Sequence, residues 1–145
     1  MAGVAVEADF DVAARALSRL SEDNIALVSY EIGALIEDQT KLRIADEKTT
    51  PDGAPWAPWS EGYAATRKPN HSLLVAEGNP GLLDSIQNHT TGLEAVVGTN
   101  LIYGAAHQFG SENGTLPARS YLGLSADNRA AIEELVVGRI EELLQ

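Results

Sequence analysis

Apolar residues recur with different periods along the chain, and each period predicts a different element of secondary structure. At the start, alternate residues are apolar, which is typical of a half-buried strand: Val4, Val6, Ala8 and Phe10. From Asp11 to about Ser21 the spacing becomes helical, so a first helix is predicted there, with Asp9 or Asp11 as its N-cap.

A second, longer helix is predicted from the next apolar stripe. Asp23 or Asn24 is a suitable N-cap, and the helix should end between Ile44 and Lys48. The stripe repeats at helical spacing and consists of Ile25, Val28, Ile32, Leu35, Ile36 and Leu42.

In the middle of the chain, apolar and polar residues alternate with the two-residue period that is typical of strands. Residues 61–68 predict a helical turn, which KPNHS interrupts. Alternation over residues 82–89 predicts a strand, Thr90-Thr91-Gly92 a turn, and alternation over 93–98 the partner strand of an antiparallel hairpin. Residues 102–109 are short, apolar and rich in small side chains, and their pattern leaves helix and strand both open.

The last segment gives the clearest helical pattern. Ser125 or Asp127 can cap a helix with one apolar face, formed by Ile132, Leu135, Val136, Ile140 and Leu143. The sequence therefore predicts an α+β fold: a small antiparallel sheet with N-terminal helices and a C-terminal amphipathic helix. Residues 1–145 are expected to form a single domain.

An irregular loop is predicted at about 49–60, where the chain reads TPDGAPWAPWS. Proline lacks the N–H that helices and sheets require, and Pro-Asp-Gly is typical of turns. This segment holds both tryptophans, Trp56 and Trp59. Three residues apart in an extended stretch, they would lie on about the same side and could enter one groove of a partner. The alternative is that one of them anchors the loop to its own domain.

Composition narrows the class of protein. No apolar run approaches the roughly 20 residues of a membrane helix, and we expect neither a membrane span nor a secretory signal. The chain contains no cysteine, so disulfides and thiol chemistry are excluded. The formal net charge of -11 argues against general binding to nucleic acids, which requires clustered Lys or Arg, and its simplest role is solubility.

Candidate chemistry is sparse. His71, His89 and His107 are 18 residues apart each time, which does not match the close ligand pairs of metal sites. No cofactor-binding motif is present, so we expect no metal, no cofactor and no enzyme. One alternative stays open: a small hydrolase that uses His107 or His89 with Asp84.

Four stretches occur in a characteristic order: PDGAPWAPWS at 51–60, VGTNLIYGAAHQFG at 97–110, LPARSYLGLS at 116–125, and the helix that follows. Together they resemble the phage virion morphogenesis family, the tail-completion or neck proteins of tailed bacteriophages and prophages. The resemblance covers most of the chain from about residue 25 onward. It departs at Ser120-Tyr121, where such proteins often have Pro-Phe after the arginine.

The resemblance implies a structural protein between the DNA-filled head and the tail, present as a ring of identical subunits and without catalytic residues. A tail-tube terminator is an alternative of the same class. The implied partners are other copies of the chain and other neck and tail proteins, with no membrane. DNA would pass through without specific binding, and an acidic bore would keep its phosphates from sticking. The expected location is the virion, and the host cytoplasm during assembly.

Within this interpretation, seven residues are candidates for partner binding: Trp56, Trp59, Tyr103, His107, Phe109, Arg119 and Tyr121. Core packing is the alternative for Tyr103 and Phe109, and a structural hydrogen bond is the alternative for His107. Arg119 is expected to pair with a carboxylate, either of the next subunit or in an exposed ion pair of its own chain. Three glycines, Gly98, Gly104 and Gly110, are expected to allow close approach of a neighbouring chain.

Overall fold

The sheet is built on the predicted hairpin. The computed structural model describes residues 3–6, 21–76 and 81–143. In it β2 (Gln87–Thr91) and β3 (Glu94–Thr99) pair antiparallel around a two-residue turn at Gly92 and Leu93, and β1 (Val4–Val6) pairs antiparallel with the other edge of β3. The strand order is β1-β3-β2, with Val4 opposite Thr99. The antiparallel hairpin is therefore confirmed, but its predicted turn at Thr90-Thr91-Gly92 was wrong, because Thr90 and Thr91 pair within β2. The first strand is confirmed over Val4–Val6, whereas its predicted continuation to Phe10 and the helix expected before Ser21 lie outside the described residues.

The long helix α1 (Glu22–Leu42) packs against β2, β3 and the last helix. Its N-cap is Ser21, whose hydroxyl accepts a hydrogen bond from the Asn24 amide, so the expected caps Asp23 and Asn24 were wrong. Both lie inside the first turn, where the Asp23 carboxylate is favoured by the positive helix end.

The helical course continues through a π turn (Arg43–Glu47) to Lys48, within the predicted range. Lys48 adopts a left-handed conformation with φ 57, and its ammonium donates to Ser72 Oγ and to the Leu73 carbonyl, which fastens the following segment to the helix end. The wider π turn changes the angular spacing of side chains. Leu42, expected in the apolar stripe, is 52% exposed, whereas Arg43 and Ile44 are buried.

Two short helices follow: α2 (Glu61–Thr66), as predicted, and α3 (Leu82–Ser85). The strand prediction was wrong for α3. Leu82 and Ile86 are both buried and four residues apart, and the Ser85 hydroxyl donates to the Leu82 carbonyl. Over so few residues, helical and alternating patterns cannot be distinguished in the sequence.

The remaining helices are α4 (Gly104–Phe109), which resolves the open choice at 102–109, and α5 (Ala126–Leu143). The α5 cap is reciprocal: Ser125 Oγ accepts from the Asn128 amide at 3.0 Å, and Asn128 Oδ1 accepts from the Ser125 amide at 3.1 Å. Ile132 and Val136 of α5 are buried, as predicted. The α+β architecture with terminal helices is confirmed.

One cluster of buried apolar side chains joins these elements. It includes residues from α1, the sheet, α5 and two irregular segments: Ile25, Val28, Ile36, Ile44, Trp56, Leu82, Ile86, Val97, Tyr121, Leu122, Ile132 and Val136. Trp56 comes from the loop at 49–60, and Tyr121 and Leu122 come from the segment before α5. Irregular segments thus supply part of the core, which fixes their position relative to the sheet.

The predicted close approaches at glycine occur within the chain. A Cβ on Gly98 would lie 2.2 Å from the Val4 carbonyl oxygen, and one on Gly104 would lie 2.6 Å from Thr99 Cγ2. Gly98 therefore permits β1 to pair with β3, and Gly104 permits α4 to begin close against the sheet.

Candidate functional site

The proline-tryptophan loop, residues 49–60, is irregular as predicted but firmly held. Thr49 and Pro55 form an isolated bridge, and Gly53 turns the chain with φ 92. The Trp56 amide donates to the Lys48 carbonyl at 3.0 Å. The loop therefore starts from the capped end of the π turn in a defined direction.

Trp56 anchors this loop to the core. Its side chain is 4% exposed, and its indole N–H donates to the Ser120 carbonyl at 2.9 Å. The alternative in which a tryptophan anchors the loop to its own domain is therefore correct for Trp56.

Trp59 has a different environment, so the two tryptophans do not enter one common groove. It is half-buried, and its ring meets Tyr63 edge to face at 5.5 Å between centroids. The Arg67 guanidinium lies 4.6 Å from the indole centroid, within the range of a cation–π contact. These three side chains form an aromatic and cationic rim.

Arg119 clamps the same loop from the opposite side. Nε donates to the Ala57 carbonyl at 2.8 Å, and Nη2 donates to the Pro58 carbonyl at 3.0 Å. The residue is 6% exposed, and burial lowers the pKa of its guanidinium. The expected exposed ion pair is therefore wrong, because the planar fork of Arg119 binds two backbone carbonyls inside the chain.

Tyr121 is part of the core rather than the surface. It is fully buried, and its hydroxyl donates to the Gly104 carbonyl at 2.8 Å. Burial raises the pKa of this phenol, and the electrostatic effect of the neighbouring Tyr103 phenol raises it further. The hydroxyl is thus held neutral as a hydrogen-bond donor at the start of α4.

The other three candidates lie on or beside α4. Tyr103 is 43% exposed and meets the His107 ring edge to face at 5.6 Å. His107 is half-buried, Nδ1 has no hydrogen-bond partner, and burial followed by the charge of Arg119 lowers its pKa. Phe109 is 70% exposed, so it is not a core residue.

A cavity of about 680 Å³ lies between the loop, α4 and the segment before α5. Its walls come from five parts of the chain: Trp59 and Tyr63 of the rim, Leu74 and Val75, Gly81 and Leu82 at the start of α3, Tyr103 and His107, and the stretch from Thr115 to Arg119. The structure therefore brings Trp59, Tyr103, His107 and Arg119 together around one space. Trp56, Phe109 and Tyr121 do not line it.

The two motifs PDGAPWAPWS and LPARSYLGLS are thus a single interlocked unit, joined by Trp56 and Arg119. The model of the phage virion morphogenesis family matches residues 6–141, nearly the whole chain. The chain belongs to the phage virion morphogenesis family. No curated protein and no solved structure is significantly similar to it. Membership indicates a structural role in building the phage virion.

Three further side chains of this phage virion morphogenesis protein join distant segments of the chain, and the sequence did not single them out. Arg43 donates to the Tyr121 carbonyl at 2.8 Å and also to Asn128 Oδ1. Gln108 Oε1 accepts from the amides of Tyr121 and Leu122, both at 3.0 Å. Lys48 has the contacts described above. Their bonds reach segments distant in sequence, and no local pattern signals them.

The catalytic set that a hydrolase would need is not assembled among the described residues of this virion morphogenesis protein. Asp84 and His89 are exposed, and no hydrogen bond between described residues joins Asp84 to His89 or His107. Ser85, next to Asp84, is buried and bonds the Thr99 hydroxyl at 2.6 Å. The Ser85 hydroxyl therefore forms structural hydrogen bonds that join α3 to β3.

Within the described ranges, no three His, Asp or Glu side chains come together as a metal ion would require. The described helices also include none that is long and apolar enough to cross a bilayer.

Proposed function

We propose that the chain is a ring-forming subunit of the neck of a tailed phage, a tail-completion protein that joins the DNA-filled head to the tail. The observation that carries the proposal is the family match over residues 6–141. Its partners would be further copies of itself and the neighbouring neck and tail proteins.

The surface supports an assembly role. Large apolar side chains stand exposed on α4 and next to it, with Ile102 at 81% and Phe109 at 70% exposure. The cavity next to α4 is lined by aromatic rings, which are favoured in protein interfaces. A subunit that must bind firmly during a single assembly event needs such preformed surfaces.

Charge supports passage of DNA without specific binding. The chain contains ten Lys and Arg and 21 Asp and Glu. Two of the described cations, Arg43 and Arg119, are buried and donate hydrogen bonds to backbone carbonyls, so they add little positive charge to the surface. A ring of such subunits would present carboxylates to the conduit, where they repel the phosphate backbone.

The test is electron microscopy of purified tailed particles that carry an epitope tag on this chain, together with its copy number by quantitative mass spectrometry. We expect a closed ring of tagged copies at the junction of head and tail. One or two copies per particle would overturn the proposal. Tag density on isolated tails that never joined a head would favour the tail-tube terminator instead.

A further inference from the structure

The cavity and the exposed Phe109 lie on opposite sides of α4. Tyr103 and His107 line the cavity and are four residues apart, on one face of the helix. Phe109 follows His107 by two residues, about 200° around the helix axis, and does not line the cavity. The side chain of Phe109 is therefore directed away from the cavity of its own chain.

The cavity has the size and lining to receive an aromatic side chain. Its volume of about 680 Å³ is within the range of ligand pockets, which begins at roughly 300 Å³. Trp59, Tyr63 and Tyr103 offer ring edges and faces, and a further ring can pack edge to face against them.

The charges beside the two surfaces are complementary. Arg67 lies over Trp59 at the rim, is exposed, and donates to the His71 carbonyl at 3.1 Å, with no carboxylate partner among the described residues. Glu112 follows Phe109 by three residues, is exposed, and forms no ion pair within the described part of the chain. Because only three residues separate Phe109 from Glu112, a neighbouring copy that inserts Phe109 can bring its Glu112 within reach of Arg67.

We propose that Phe109 of one subunit enters the cavity of the next copy of the chain, with Glu112 of the first subunit beside Arg67 of the second. The occupant is a second copy because one sequence carries every part of the contact. These parts are the projecting Phe109, the receiving cavity, and two charges without an ion-pair partner among the described residues, Arg67 and Glu112. Since the two surfaces are different, the contact is head-to-tail and repeats around a ring. This inference rests on the proposed ring and specifies which surfaces form it.

The absence of cysteine permits a clean cross-linking test. The variant with both Arg67→Cys and Glu112→Cys, treated with a short thiol-reactive cross-linker after assembly, should give a ladder of covalent oligomers on a denaturing gel. A mixture of the two single variants should stop at dimers, and each single variant alone should stay monomeric. A double variant that assembles like the wild-type chain and yet gives no ladder would overturn the inference.

Charge reversal tests the same contact without a cross-linking reaction. Arg67→Glu and Glu112→Arg should each weaken self-association about tenfold or more, and the combined variant should recover most of the loss. Phe109→Ala should also weaken self-association at least about tenfold, because a buried aromatic anchor dominates an interface. The matched controls are Glu133→Arg on α5 and Leu93→Ala at the hairpin turn, both exposed, which should leave association unchanged.

The outcomes separate this inference from the proposed function. If tailed particles contain no ring of this chain, the proposed function fails. If the ring forms equally well with the reversed charges and with Phe109→Ala, the function stands and the docking of Phe109 is wrong. If these variants form rings but the particles lack a tail, Phe109 binds another neck or tail protein, which also overturns the inference.

Discussion

At the scale of single residues, two buried cations organise this acidic chain through hydrogen bonds to carbonyl oxygens rather than to carboxylates. Arg43 and Arg119 each direct a guanidinium at backbone carbonyls 61 to 80 residues away. Carbonyl oxygens accept the hydrogen bonds, so both cations are satisfied inside the fold, and desolvation lowers the pKa of each. The five donors of arginine suit this task better than the three of lysine.

The buried imidazole of His107 predicts a dependence of stability on pH. Burial lowers its pKa, so the unfolded chain takes up a proton at a higher pH than the folded chain. Protonation therefore favours unfolding, and stability is lost as pH falls through the ordinary imidazole pKa of about 6.5. We expect a lower urea midpoint at about pH 5.5 than at about pH 7.5, and His107→Gln should shrink this difference.

His89→Gln is the matched control, because His89 is exposed on β2 and its replacement should leave the pH difference intact. An equal pH difference in the wild type and in His107→Gln would show that the burial of His107 does not govern acid stability.

Residue roles were the least predictable part of this molecule. Trp59 and Phe109 could be singled out as large aromatics in a loop or a small-residue segment, and both are accessible. Arg43 could not, because it lies between Lys41 and Asp46 in a stretch that reads as a charged helix surface. The π turn rotates it inward, and that turn depends on packing rather than on local sequence.

At the scale of elements, the sheet depends on how closely β1 approaches β3. Long periodic segments, α1 and α5, and the hairpin were predictable because each has many residues of one period. The one-turn helix α3 was not, since four residues carry too little pattern. The pairing of β1 with β3 joins Val4 to Thr99, a contact that no sequence period reveals.

Gly98→Ala should disturb this pairing. The added Cβ would lie 2.2 Å from the Val4 carbonyl oxygen and 2.8 Å from Ala5 Cα, so β1 must shift away. We expect a loss of about 1–3 kcal/mol in the free energy of unfolding, measured by urea denaturation.

Gly138→Ala is the control, because nothing lies within 4 Å of a Cβ there and the position is inside α5. It should stabilise the protein by up to about 1 kcal/mol through helix propensity. A Gly98→Ala protein as stable as the wild type would mean that the edge strand adjusts without cost.

At the scale of the whole molecule, the two tryptophans report on different regions. Trp56 is in the core, and Trp59 is half-buried at the cavity rim. If neighbouring copies dock at this cavity, assembly changes the solvent exposure of Trp59 and leaves Trp56 unaffected.

Single-tryptophan variants test this. In Trp56→Phe the remaining Trp59 should shift its emission to shorter wavelength when subunits assemble. In Trp59→Phe the remaining Trp56 should emit at short wavelength from the outset and not move. A constant spectrum from Trp59 in a fully formed ring would place the interface elsewhere on the molecule.

The latch between Trp56 and Ser120 spans 64 positions, and Arg119 closes it over Ala57 and Pro58. During translation, Trp56 leaves the ribosome long before its acceptor is synthesised. The cavity walls come from both sides of this contact, so a chain cut short before Arg119 lacks part of the wall and the hydrogen bonds that hold Trp56, Ala57 and Pro58. If neighbouring copies dock at this cavity, synthesis of the segment before α5 would act as a checkpoint, because truncated products would lack part of the surface that the next copy binds.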